Sequence, residues 1–131
     1  AWDAVDGLAL GLDLTRREVQ NGLKEKGLPW TIAKSFAGAA PIGPFVTPER
    51  FGSINKIKFT LSVNGETKQI GDTSDMLFPI PALLHYLLEA NSLRRGDLVF
   101  TGTPKGVGPI KHGDHFTLSF DDLGERWSGM L

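Results

Sequence analysis

The chain has 131 residues, with 14 lysines and arginines against 15 aspartates and glutamates. This near balance provides no basic surface for a nucleic acid, so we expect none as a main partner. The absence of cysteine excludes disulfide and thiolate chemistry. No apolar run approaches the roughly 20 residues needed to span a bilayer, so we expect no membrane as a partner.

The first predicted elements are a strand over LALGL, residues 8–12, and a short helix after it. Thr15 and Glu18 have the T-x-x-E spacing of a capping box, so the helix is predicted to start at Thr15. Gly27 fits the position after its last turn, and Pro29 prevents continuation.

This helix is predicted to have two faces. Val19 and Leu23 are i and i+4 and would hold it to a core, whereas Arg17 and Gln20 are i and i+3 and would face a cleft beside Asp13. A carboxylate, a guanidinium and an amide suit a small anionic ligand held on a hard metal ion. From spacing alone, an aspartate such as Asp13 is most often a cap or turn residue, and Arg17 and Lys34 are most often solvated cations. No second metal ligand is evident.

Farther along, apolar residues alternate over KIKFTLSV, residues 56–63, which predicts a strand. Asn64 and Gly65 then predict a type I′ hairpin turn into a strand over ETKQI. Residues 71–75 are expected to form a loop, and residues 81–90 a helix with Pro81 in its first turn.

The last third of the chain is predicted to contain turns at 94–97 and 112–114, a buried strand over LVFT, a strand over HFTLSF and a last strand over WSGML. Many short strands with few helices predict a mainly β, barrel-like or sandwich fold. Four aromatic residues are expected in its core: Phe51, Phe78, Phe100 and Trp127. No histidine has metal-ligand spacing with another histidine or a carboxylate.

The segment TGTPKGVGP, residues 101–109, is the other part of the chain whose residues suit a binding site. Its glycines allow backbone N–H groups to approach an anion, and Thr103 adds a hydroxyl. It matches neither a Walker A loop nor G-x-G-x-x-G. By itself it reads as a tight turn between strands.

Five runs resemble the fumarylacetoacetate hydrolase family in order: DLTRREVQ, KGLPWTIAKSF, PIGPFV, VNGETKQIGDTSDMLFPIP and GDLVFTGTPKGVGPIKHGD. The resemblance covers nearly the whole chain and is strongest to small single-domain members, among them acylpyruvate and fumarylpyruvate hydrolases and oxaloacetate decarboxylases. It implies a mixed β-roll, barrel-like fold, mainly β with short helices. It also implies a divalent metal, usually Mg²⁺ with Mn²⁺ or Ca²⁺ as alternatives, a small 2-oxo acid substrate and a homodimer.

By the same resemblance, Asp13 matches a metal ligand and Lys34 matches the catalytic lysine beside the metal. The turn at Gly27 is expected to bring Lys34 back towards Asp13. Arg17, Gln20 and Thr103 match substrate-binding positions. The family's Glu-x-Glu ligands and His-Glu base are absent, so we expect residues 1–131 to be a single catalytic domain that lacks its N-terminal part.

The function predicted from this resemblance is cleavage of a C–C bond in 2,4-dioxo acids of the acylpyruvate or fumarylpyruvate class by a metal-dependent hydrolase. Isomerisation or decarboxylation of 2-oxo or 2-hydroxy-enoic diacids is the alternative, as is a non-catalytic structural half of a larger member. With 40% hydrophobic and 22% charged residues, the composition is ordinary for a globular domain. We expect the protein in the cytoplasm.

Overall fold

The computed structural model describes residues 2–90 and 93–131. Its helices are α1 (Arg17–Glu25), α2 (Thr31–Lys34) and α3 (Ile80–Glu89), and its strands are β1 (Lys58–Val63), β2 (Glu66–Asp72), β3 (His115–Phe120) and β4 (Glu125–Met130). Short 3₁₀ turns lie at Trp2–Ala4, Pro48–Arg50 and Thr73–Asp75. Residues 11–43 form one compact unit, and the other described residues form a second. No helix in the described part of the chain is long and apolar enough to cross a membrane.

The four strands form one open antiparallel sheet in the order β2-β1-β3-β4. Leu61 and Val63 of β1 are buried on the same side as Phe116 and Leu118 of β3, because alternate side chains share a face. This confirms the period-2 pattern seen in the sequence. The fold is mainly β with short helices, as predicted.

The predicted hairpin turn joins β1 to β2. Asn64 and Gly65 both have positive φ, 50° and 81°, as a type I′ turn requires at its two central positions. Val63 pairs directly with Glu66 across it. The turn therefore sets the register of the pairs next to it, and an irregularity between Leu61 and Ser62 shifts the register by one residue for the rest of the two strands.

The unit that contains the sheet has a hydrophobic core whose buried residues are Val46, Ile57 and Phe120. Phe51 packs edge-on against Phe120, with ring centroids 5.0 Å apart, and Trp127 packs in the same way against Phe116 at 4.9 Å. Phe51 and Trp127 are half-buried and each packs against a buried aromatic residue of the core, which agrees with the prediction in part.

Phe78 and Phe100 were expected in the core, and that prediction is wrong. Phe78 is 65% exposed and Phe100 is 48% exposed. LVFT was also expected as a buried strand, but it is irregular, and no strand within residues 2–90 and 93–131 pairs with it. An apolar run becomes a strand only where a neighbour completes its backbone hydrogen bonds.

Two other boundaries differ from the prediction. Gly71 and Asp72 were expected in a loop, but they continue β2 and pair with Phe59 and Lys58. A Cβ at Gly71 would collide with the Phe59 ring, so glycine here lets the strand cross an aromatic side chain. LALGL is not a continuous strand: isolated bridges join Leu8 to Val46 and Gly11 to Ile42.

The remaining predicted elements are confirmed. The helix expected over residues 81–90 is α3, which begins one residue earlier at Ile80 and has proline in its first turn. Turns form at residues 95–96 and 112–113, and HFTLSF and WSGML supply β3 and most of β4.

Candidate functional site

Asp13 lies on an extended segment whose backbone is held on both sides of it. The Leu12 and Leu14 amides donate to the Pro41 and Ala39 carbonyls at 2.9 and 2.8 Å. Because side chains alternate along an extended chain, buried Leu12 leaves Asp13 facing the opposite way, where it is exposed. The carboxylate is thus accessible on a fixed backbone.

The Lys34 ammonium lies against that carboxylate. Its Nζ is 3.0 Å from both Asp13 Oδ1 and Oδ2, and the two side chains remain 34% and 49% exposed. Lys34 is the last residue of α2. The structure therefore joins two predicted site residues that are 21 positions apart, as expected from the returning chain.

The return depends on the end of α1. Gly27 has φ +64°, its amide donates to the Lys24 carbonyl, and the Leu28 amide donates to the Leu23 carbonyl at 2.9 Å. This is a Schellman motif, which requires the left-handed conformation that glycine adopts without strain. The predicted helix end is confirmed.

Thr15 has a different role from the predicted cap. The helix begins at Arg17 rather than Thr15, and no side chain caps it. The Thr15 hydroxyl instead accepts a hydrogen bond from Lys34 Nζ at 2.7 Å. The Arg16 amide donates to the Ala33 carbonyl at 3.0 Å, which ties the start of α1 to α2. The capping-box prediction failed because the tertiary partner competes for the same oxygen.

Arg17 and Gln20 contact each other, as their spacing predicted. Arg17 Nη1 donates to Gln20 Oε1 at 2.6 Å. The predicted orientation of the helix is wrong, however, because Gln20 is its buried residue while Val19 is 38% exposed. Burial of the amide is tolerated because its oxygen is hydrogen-bonded to a guanidinium.

Thr103 belongs to the second unit, on the segment 101–109, where Gln69 of β2 contacts it. Gln69 Nε2 donates to Thr103 Oγ1 at 3.0 Å and to the Pro104 carbonyl at 2.8 Å. Gly106, with φ +99°, passes so close to the Lys68 carbonyl that a Cβ would collide with it. Gln69 was not predicted from the sequence, since a glutamine in a strand 34 residues away carries no signal of this contact.

Asp13 is chemically suited to be one ligand of a hard divalent cation. Each of its oxygens accepts one hydrogen bond from Lys34, so lone pairs remain on both. Mg²⁺ sites commonly use one or two carboxylates, with water and substrate completing the coordination. Within the described residues, no group of three or more His, Cys, Asp or Glu side chains could hold a metal alone. The described residues therefore fit part of a metal site, to which Asp13 would supply one ligand.

Two aspartates outside the candidate site have lowered pKa values because their carboxylates accept hydrogen bonds at turns. The Ser74 hydroxyl and amide both donate to Asp72 and lower its pKa. The Asn64 side chain and the Lys111 amide do the same for Asp114. Each carboxylate accepts hydrogen bonds that favour its ionised form, which explains the direction of both shifts.

Comparison with known proteins shows which family the chain resembles. A model of the fumarylacetoacetate (FAA) hydrolase C-terminal domain matches residues 1–127. The chain is 50% identical over 123 residues to human mitochondrial oxaloacetate tautomerase FAHD1, covering 94% of this chain and 56% of that protein. It is 42% identical over 113 residues to the mitochondrial oxaloacetate decarboxylase of Dictyostelium discoideum, covering 86% and 52%.

A solved structure extends the comparison to the fold. The fumarylpyruvate hydrolase from Pseudomonas aeruginosa, in complex with Mn²⁺ and pyruvate, superposes with a TM-score of 0.85 at 40% identity and covers 95% of this chain and 53% of that one. The chain spans about half the length of the curated relatives it matches. On the family model and these relatives together, it belongs to the fumarylacetoacetate hydrolase family.

Proposed function

We propose that the protein containing this chain is a divalent-metal-dependent enzyme that interconverts the keto and enol forms of oxaloacetate, or decarboxylates it. The observation that carries the proposal is the Lys34 ammonium held beside the exposed Asp13 carboxylate at 3.0 Å. The names of the human and Dictyostelium relatives support oxaloacetate as the substrate.

Lys34 would stabilise negative charge that develops on the 2-oxo oxygen of the substrate. Thr15 and Asp13 hold its ammonium from two directions, so the positive charge is in place before the reaction begins. Preorganised charge of this kind is often the largest single contribution to catalysis. A divalent ion bound by Asp13 would add Lewis-acid stabilisation of the same charge.

Arg17 and Thr103 would bind substrate carboxylates, and Gln20 would orient Arg17. The guanidinium already donates to Gln20 at 2.6 Å, which fixes its plane and leaves further N–H groups for an anion. These roles explain binding and not the choice of reaction.

Hydrolysis of a C–C bond in an acylpyruvate is the second candidate. The P. aeruginosa neighbour, a fumarylpyruvate hydrolase bound to Mn²⁺ and pyruvate, supports it. Tautomerisation, decarboxylation and hydrolysis all build negative charge on the same oxygen, so Lys34 would serve each. Only hydrolysis also needs a base that activates water. A non-catalytic structural half would gain only about 1 kcal/mol or less from the half-exposed Lys34–Asp13 pair, which favours the enzyme.

The test uses the full-length protein with Mg²⁺, Mn²⁺ or Ca²⁺ added separately. Loss of the oxaloacetate enol absorbance, release of pyruvate from oxaloacetate and cleavage of an acylpyruvate are measured in parallel, each against Lys34→Met. We expect one of the first two to exceed the metal-only background and to be lost in the variant. Cleavage of the acylpyruvate alone would favour the second candidate, and no reaction above background would refute both.

The homodimer expected from the resemblance stays a prediction that sedimentation of the full-length protein would test. Cytoplasmic location also stays a prediction, and the names of the human and Dictyostelium relatives place those proteins in mitochondria.

A further inference from the structure

Gln69 approaches the Thr103 segment from the edge strand of the sheet. Among the described strands, β2 pairs with β1 along one edge and with no strand along its other edge. The Gln69 side chain is partly buried, and its amide nitrogen donates to both Thr103 Oγ1 and the Pro104 carbonyl, at 3.0 and 2.8 Å. One amide group thus contacts two consecutive residues of a segment that forms no strand.

The Pro104 carbonyl determines which way the amide faces. A carbonyl oxygen only accepts hydrogen bonds, so the NH₂ group of Gln69, and not its oxygen, must point towards the segment. One of its two hydrogens then serves Pro104 and the other serves Thr103. One lone pair of the Thr103 hydroxyl therefore accepts from Gln69, and the hydroxyl hydrogen must point away from Gln69 Nε2.

Glycine keeps this contact close. Gly106 lies next to the Lys68 carbonyl in a space that a Cβ would overlap, at φ +99°. The Gln69 amide therefore holds residues 103–104 against β2, and the lack of a side chain at Gly106 allows the segment to lie this close to the strand. Both contacts involve consecutive residues of β2.

We propose that Gln69 is a positioning residue that makes Thr103 an outward hydrogen-bond donor, and thereby makes the segment selective for a carboxylate. The Thr103 hydroxyl has one hydrogen and two lone pairs. One lone pair accepts from Gln69, so the hydroxyl hydrogen is turned away from the Gln69 amide and stays free for an anion. The inference rests on the proposed function in one respect, since that function makes Thr103 a substrate-binding residue. Gln69 itself need not touch the substrate.

A double-mutant cycle on the full-length protein tests the coupling, with pyruvate as the probe and Mn²⁺ present. Binding is measured by calorimetry for Gln69→Leu, Thr103→Val and the double variant. A hydrogen bond to a charged group contributes enough that each single change is expected to weaken binding about 10-fold or more. If Gln69 acts through Thr103, the double variant should bind no more weakly than Thr103→Val alone.

Two further variants separate positioning from folding. Thr103→Ser keeps the hydroxyl and is expected to bind within about threefold of the wild type. Glu66→Gln changes a β2 side chain whose contact is the exposed Lys68 ammonium at 2.6 Å, and it should leave binding unchanged. Thermal unfolding confirms that each variant is folded. For oxaloacetate, Gln69→Leu should raise KM and leave kcat nearly unchanged, because it alters recognition rather than the chemical step.

Additive losses in the cycle, wild-type affinity in Gln69→Leu, or no pyruvate binding to the wild type would each overturn the inference. Failure of the proposed function looks different. In that case the coupled loss of pyruvate binding persists, although the wild type turns over neither oxaloacetate nor an acylpyruvate.

Discussion

Replacing Lys34 with methionine separates catalysis from stability. The substitution keeps much of the side-chain length and removes the ammonium that contacts Asp13 and Thr15 at 3.0 and 2.7 Å. Because the ion pair is one-third to one-half exposed, its net contribution to the free energy of unfolding is about 1 kcal/mol or less. The hydrogen bond to Thr15 adds about 0.5–1.5 kcal/mol.

The expected effect on the rate is larger. Loss of one preorganised charge at a developing oxyanion costs roughly 10²–10³ in kcat, or about 3–4 kcal/mol. A surface lysine, by comparison, would change stability by about 0.5 kcal/mol and leave the rate unaltered. The stability loss is at most about 2.5 kcal/mol, so the rate loss should exceed it by about 0.5–3.5 kcal/mol.

Single-turnover kinetics on the full-length protein with oxaloacetate measures the chemical step, and urea unfolding measures stability. Arg50→Met is a matched control, because Arg50 forms an ion pair of similar exposure with Glu125 at 2.7 Å. Arg50→Met should lower stability by about as much as loss of the Lys34–Asp13 ion pair alone, about 1 kcal/mol or less, and should leave the rate unchanged. A near-wild-type chemical step in Lys34→Met would remove Lys34 from the proposed mechanism and refute the reasoning.

Three other variants test separate parts of the structure. Asp13→Asn should weaken Mn²⁺ binding to the full-length protein strongly in a calorimetric titration, since hard cations prefer a carboxylate; equal affinity would rule out Asp13 as a ligand. Arg17→Lys should raise KM with little change in kcat, because the planar fork that contacts Gln20 and could bind a carboxylate is lost while the charge stays; a change in kcat alone would contradict this role. Asp72 has a lowered pKa in the folded state, so it stabilises the fold above its unfolded pKa of about 3.9, and this stability is lost as pH falls through the lowered value. Asp72→Asn should therefore flatten the acid limb of urea unfolding, and an unchanged limb would show that Asp72 does not contribute to it.

Some features could be predicted from the sequence because only neighbouring residues determine them. Gly27 ends α1 in a conformation that a side chain disfavours, and Asn64 with Gly65 forms the hairpin turn. The buried face of β3 follows from alternation alone. Each signal lies within a few residues of the structure it specifies.

Residue types also indicated the candidate site, but not its contacts. Asp13 and Lys34 were expected to approach each other, and they do. The local pattern at Thr15 predicted a helix cap, whereas the folded chain uses that hydroxyl for Lys34, 19 residues away. A local hydrogen bond and a tertiary one compete for the same atom, and sequence spacing shows only the first.

Tertiary structure alone decided the remaining features. LVFT has the composition of a strand, but no described strand pairs with it. Gly71 extends β2 because the Phe59 ring occupies the space of a side chain. Gln69 meets Thr103 because the chain returns across the sheet edge 34 residues later. Such contacts depend on which distant segments pack together, since hydrogen-bond partners and free space exist only once both segments are in place.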